Sequence, residues 1–174
     1  FQKKKMGGCP MNLREALTRQ IGIEFRLAEL YKRFFLRFSS LPAYNTFWLQ
    51  MSNEEAGHEN LLGNLLELVD HDPQSHTLSV PELETERFDR IDIELTVCMS
   101  EADSPNFTIQ RAFDMAIRLE SGEIEILFES ILKFLDPRVD RALTTFMIEN
   151  LDHKQRLISI RRNLPDKSGV ALTE

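Results

Sequence analysis

Apolar residues recur every three or four positions along four long stretches of this chain, and each stretch stops at a proline or a polar break. From Leu13 to Phe38, the residues Leu17, Ile21, Leu27, Ala28, Tyr31 and Phe34 or Phe35 share one helical face, and Glu24 falls in its middle. Ser39-Ser40-Leu41-Pro42 ends that helix. Pro42 suits the first turn of the next one, where its missing N–H would have no partner anyway. The second helix puts Phe47, Met51, Glu55, His58, Leu62 and Leu65 on one side and ends near Asp70. His71 to Ser79 reads as loop, and Pro81 opens a shorter helix with Phe88, Ile91, Leu95 and Cys98 at helical spacing, stopped by Ser104-Pro105-Asn106. A third long helix is predicted from Thr108 as its cap, through Phe113, Ile117, Glu120, Ile124, Leu127, Ile131 and Phe134, to Asp136-Pro137. The fourth carries Val139, Ala142, Phe146, Asn150, His153, Leu157 and Ile160, and stops by Leu164-Pro165.

A short link between long helices makes them antiparallel neighbours, and a long connection between the second and third lets one pair cross over to the next. The expectation is all-α: a ferritin-like four-helix bundle, two antiparallel pairs joined by a long crossover containing a short helix, rather than an up-down-up-down bundle. One domain is expected over 13–164, between an N-terminal tail, 1–12, and a C-terminal tail, 165–174. Phe1 to Lys5, ahead of Met6, read as a frayed start or an added leader.

Composition narrows the function classes. A chain of 174 residues with 42% apolar and 28% charged residues is an ordinary globular one. The net charge of -7 argues against nucleic acid, which needs a concentrated basic surface, and Lys3 to Lys5 do not supply one. No run is apolar enough for a membrane helix. Cys9 and Cys98 form no Cys-x-x-Cys pair, so rubredoxin-type iron and structural zinc sites are not expected, and a reducing, cytoplasmic setting is.

The candidate chemistry lies in a near-repeat. Glu24 followed by Glu55-Ala56-Gly57-His58, and Glu120 followed by Asn150-Leu151-Asp152-His153, are near-copies about 95 residues apart. A carboxylate on one helix, with a carboxylate and a histidine three apart on the next, is one half of a carboxylate-bridged dimetal site in a bundle. Glu24 and Glu120 occupy positions that should be apolar, and a buried carboxylate loses several kcal/mol of hydration unless a cation or hydrogen bonds offset it. Glu29, Glu54, Glu59 and Glu125 read as solvated-face residues. Oxygen donors with neutral imidazole suit iron, manganese or zinc. Bland readings stand beside these: His153 as a satisfied core histidine, and the aromatic faces with Phe34, Phe47, Trp48, Phe113 and Phe146 as core. Tyr31 is either core with its hydroxyl paired or a donor to a ligand.

The set Glu24 with Tyr31 seven later, Glu55-x-x-His58, Glu120-x-x-Glu123 and His153 resembles the rubrerythrin branch of the ferritin-like superfamily. The resemblance covers the four long helices. It implies two irons held by Glu24, Glu55, His58, Glu120, Glu123 and His153, a peroxidase-type oxidoreductase activity on peroxide or dioxygen, and pairing into a homodimer. Glu123 is the extra glutamate that distinguishes the branch. Two departures accompany it. Asn150 stands where the fourth-helix glutamate is expected; it offers a neutral carbonyl oxygen but no charge. Glu149, four before His153, would need a slight helix rotation or a π-bulge to take its place. The rubredoxin-like domain is also missing, so an external electron donor protein is implied. The alternative is a ferritin-like metal-binding protein with an incomplete site, holding one metal or none, without turnover.

Overall fold

A computed structural model describes residues 11–71, 82–121 and 137–164 of the chain. They form five helices: α1, Leu13–Arg37; α2, Pro42–Asp70; α3, Glu82–Ala102; α4, Ile109–Ser121; and α5, Pro137–Arg162. The loop expected from His71 to Ser79 lies, after His71, outside the described residues, as does the stretch 122–136 with Glu123 in it.

Helix ends follow local chemistry. Asn12 caps α1 by accepting from the Glu15 N–H at 2.9 Å, while the Glu15 carboxylate accepts from the Asn12 N–H at 3.0 Å, a reciprocal capping box. The first helix starts at Leu13, the expected start of the bundle; Asn12 is its cap, and Met11 before it is buried. Pro42 occupies the first turn of α2, and Thr108 Oγ1 accepts from the Arg111 N–H at 3.2 Å to cap α4.

Side-chain partners give the directions. Arg14 near the start of α1 bonds Asp70 at the end of α2 at 2.8 Å, whereas Asn45 near the start of α2 reaches the Phe35 carbonyl near the end of α1. These two helices are antiparallel. Between α4 and α5, Arg161 meets Asp114 while His153 lies beside Glu120, again antiparallel. Helix α2 faces α5 through Glu54 with Arg156 and His58 with Glu149.

Helix α3, where a short helix was expected, is not short. Its 21 residues run parallel to α1, with Arg19 on Asp89 and Asp92, Arg26 on Asp92 and Thr96, and Arg33 on Asp103. Its inner face buries Phe88, Ile91, Leu95 and Cys98, and its far side meets α4 through Arg111 with Glu101 and Arg118 with Glu94. The helix continues because both the apolar stripe and the ladder of ion pairs persist up to the Ser104-Pro105 break.

The core joins Leu17, Ile23, Leu27 and Leu30 of α1 to Met51, Leu62 and Leu65 of α2 and to Ala112, Phe113, Met115 and Ala116 of α4. Each fully buried large side chain contributes about 1.5–3 kcal/mol. An aromatic block of Tyr31, Phe34, Trp48, Phe113 and Phe107 fills one end of the bundle. The other level of the core is polar. Glu24, Glu55, His58, Glu120, His153 and Gln20 are all buried there.

Candidate metal centre

Four helices each deliver a polar group to that level because helical spacing places it on the face that also carries the core: Glu24 from α1, Glu55 and His58 from α2, Glu120 from α4 and His153 from α5. Glu55 sits in the middle. Its Oε2 lies 2.9 Å from His58 Nδ1, and its Oε1 lies 3.1 Å from His153 Nδ1. Glu24 Oε2 stands 3.7 Å from His58 Nδ1, and Glu120 Oε2 stands 3.9 Å from His153 Nδ1. The two imidazole rings stack with centroids 5.1 Å apart.

Further side chains fix these groups. Gln20 donates to Glu24 Oε1 at 2.6 Å, and the Tyr31 hydroxyl donates to Glu120 Oε1 at 2.6 Å. Tyr31 thus serves the α4 carboxylate rather than Glu24 on its own helix. On the outer side, His58 Nε2 lies 3.1 Å from Glu149 Oε2, and His153 Nε2 lies 3.1 Å from Glu54 Oε2. The arrangement is crossed, since each histidine is held by a carboxylate from the other helix. Such a partner orients the ring so that Nδ1 faces inward, where it can serve a metal once its proton is displaced.

Glu149 therefore lies outside the imidazoles, on the opposite side from Glu55, and its side chain is half exposed. Glu54 is not a purely solvated residue: it is part-buried and also accepts from Arg156. Both line a cleft of about 630 Å³ between α2 and α5 that reaches the outer edges of the two histidines, with Gly57, Leu61, Ile148 and Asp152 around it. Asn150 lies within α5, and Glu123 is not among the described residues. The sequence did not single out Gln20 or Arg156, and neither has a motif that could have done so.

The electrostatics are those of an anionic cluster in a dry place. Burial pushes the Glu24 carboxyl up to about 7, with the charge of Glu55 adding to the effect and His58 opposing it. Burial also holds the Glu120 carboxyl well above its ordinary range, and the nearby Glu55 charge adds to that. Glu55 goes the other way: burial would raise it, yet the adjacent imidazoles of His153 and His58 outweigh burial and hold it at about 2. Burial would lower His58, but Glu24 and Glu55 raise it to about 10.

A cation fits this set. Glu55 Oε1 and His153 Nδ1 are buried 3.1 Å apart, yet neither completes a hydrogen bond among the described residues. Buried polar atoms without partners are costly and few, and a shared metal ion would satisfy both. Donors held about 2.1 Å from one ion sit roughly 3.0–3.4 Å from each other; the 3.1 Å separation of Glu55 from His153 falls in that range and the 2.9 Å separation from His58 just below it. Glu55, His58 and His153 could hold a metal ion. No helix among the described residues is long and apolar enough to cross a membrane. No protein-family model, curated protein or solved structure matches the chain.

Proposed function

We propose that the chain is a rubrerythrin-like dimetal carboxylate protein with a ferritin-like bundle, reducing peroxide or reacting with dioxygen and drawing electrons from an external donor protein. One observation carries the reading: Glu55 directs one oxygen to each of two inward-facing histidine nitrogens, the disposition of a bridging carboxylate. On this reading Glu24 and His58 would complete one metal position, and Glu120 and His153 the other. The donor set suits iron, manganese or zinc; iron and manganese can exchange electrons with peroxide, and the resemblance favours iron.

The chain's own groups have defined tasks around such a centre. Gln20 and Tyr31 each occupy one oxygen of a terminal carboxylate and leave the other free for a metal. Glu54 and Glu149 hold the imidazole rings in the orientation that offers Nδ1. Glu24 keeps a proton up to about pH 7 in the metal-free protein, so loading displaces it.

A second reading is metal binding without turnover, with one ion in the Glu24, Glu55, His58 half. It is favoured by Asn150, which stands where the repeat would place a second bridging glutamate, and by the shorter distances around His58. Anaerobic iron loading followed by metal analysis and addition of hydrogen peroxide separates them. Two irons per chain with peroxide-driven oxidation support the first, one iron without oxidation the second, and no bound metal with stability unchanged by chelator defeats both.

A further inference from the structure

The chain contains one tryptophan and two tyrosines, the side chains that lose an electron most readily, and all three lie on one contiguous path. Tyr31, hydrogen-bonded to Glu120 in the polar layer, packs on Trp48 with ring centroids 5.6 Å apart. Trp48 packs on Phe113 at 4.6 Å, and Phe113 meets Tyr44 edge-on at 6.0 Å. Tyr44 also sits one helical turn before Trp48 on α2, so the two share a face. Tyr31 and Trp48 are fully buried, whereas Tyr44 is only partly buried. Trp48 has a second unusual property: its indole N–H is buried without a hydrogen-bond partner among the described residues.

We propose that Tyr31, Trp48 and Tyr44 form a relay that carries oxidising equivalents from the carboxylate–histidine cluster to the surface end of the bundle. The proposal rests on the redox reading above. Tyr31 yields one electron toward peroxide reduction while its phenolic proton passes along the existing hydrogen bond to Glu120 Oε1, leaving a neutral tyrosyl radical. An electron from Trp48 then restores Tyr31, and the proton returns from Glu120. With no acceptor for its N–H, oxidised Trp48 keeps that proton and remains a radical cation, a strong enough oxidant to draw an electron from Tyr44. Tyr44 releases its proton to water, and an external reductant with a proton from solvent restores it. Two passes deliver the two electrons that, with two protons from solvent, convert one hydrogen peroxide into two waters. The single fully apolar member, Phe113, supplies ring contact and is never oxidised.

Two measurements decide it. In the metal-free protein, ultraviolet excitation of Trp48 with pentaamminechlorocobalt(III) as electron acceptor removes one electron from the indole, and cobalt(III) leaves as cobalt(II) with loss of chloride. Electron paramagnetic resonance with ring-deuterated tyrosine should then show a tyrosyl radical in the wild type and only a persistent tryptophan radical in the Tyr31→Phe, Tyr44→Phe double variant. A tryptophan radical of the same lifetime in both proteins overturns the relay, whatever the protein does with iron. In the iron-loaded protein treated with hydrogen peroxide, the radical should reside on Tyr44, move to Trp48 in Tyr44→Phe, and be lost from Tyr44 in Trp48→Phe, with sustained peroxide turnover slowed. A Tyr44 radical undiminished in Trp48→Phe overturns the proposal. If the iron-loaded wild type consumes no peroxide, the redox function fails, and the metal-free experiment still decides the relay.

Discussion

Glu54 on α2 holds His153 Nε2 of α5 at 3.1 Å, and in return Glu149 on α5 meets His58 Nε2 of α2 at the same distance. Each carboxylate stands four residues before the histidine of its own helix but serves the histidine of the other. Orientation of the Nδ1 donors therefore depends on the two helices being seated together. Outer partners of this kind commonly tune metal affinity by roughly 10–100-fold. Glu54→Gln should weaken metal binding within that range, and Glu149→Gln should do so less, since its side chain is half exposed. Competition titration with a chelator of known affinity checks this, and unchanged affinity in Glu54→Gln would show that the pairing does not orient His153.

Removing Glu55 should be the most damaging single change at the site. It is fully buried and lies within 3.1 Å of both imidazoles, so its loss strips the raised His58 of its nearest anion. Breaking a buried charge pair by deleting one partner costs about 3–5 kcal/mol. Glu55→Gln is expected to destabilise the metal-free protein by that order and to abolish tight metal binding, read by urea unfolding and by calorimetry. A variant as stable as the wild type would mean that Glu55 is neutral in the fold.

Much of this geometry could be read from spacing, and the remainder shows what spacing leaves out. Glu24, Glu55, His58, Glu120 and His153 announce themselves because a charged group on an apolar stripe has few explanations, and all five are buried in one layer. Glu54 and Glu149 carry no such signal. One position away from the stripe, each looks solvated from its own helix, and only the approach of the neighbouring helix gives it a partner. The length of α3 was hidden for a related reason: its aspartates pair with arginines spread over α1, and a pairing between helices has no period along either one. The fate of Glu149 depended on which side of His58 it reached, which a rotation argument within α5 cannot settle.

The pH dependence of the metal-free protein follows from the buried groups of the cluster, and Glu120, held well above its ordinary range by burial, acts in the same sense as Glu24. His58 is raised from 6.5 to about 10, so its contribution is fully present below pH 6.5 and is lost as pH rises through 10. Glu24, raised from 4.5 to about 7, binds its proton more tightly in the fold, so its contribution is present below pH 4.5 and lost as pH rises through 7. Glu55 is depressed from 4.5 to about 2; its contribution is present above pH 4.5 and lost as pH falls through 2. Stability should therefore decline with rising pH from 4.5 to 10. Metal binding, which displaces the protons on Glu24 and His58, should strengthen over the same range and release protons into the buffer. Urea unfolding across this window and calorimetry in buffers of different ionisation enthalpy provide the check; stability that rises from pH 4.5 to 7 would contradict the role given to Glu24.

Arginines along α1 differ in what they hold, and the differences predict different costs. Arg26 pairs with the Asp92 carboxylate, the Asp92 carbonyl and Thr96 at a part-exposed surface, where such pairs contribute about 0–1 kcal/mol. Arg37 instead donates to the carbonyls of Ala102, Ser104 and Pro105, with a longer contact to Phe107, and its guanidinium lies 5.6 Å from the centre of the Phe107 ring. Those carbonyls belong to the end of α3 and the turn into α4, so Arg37 fixes the corner by which the crossover delivers the helix carrying Glu120. Charged hydrogen bonds are worth about 1.5–3 kcal/mol, and losing this cluster leaves several acceptors to be rehydrated at once. Arg37→Ala should cost about 2 kcal/mol or more, against less than about 1 kcal/mol for Arg26→Ala. It should also loosen amide protection around Phe107 and Ala112, where Arg26→Ala leaves it intact. Hydrogen exchange together with urea unfolding measures both, and equal costs for the two variants would remove the special position of Arg37.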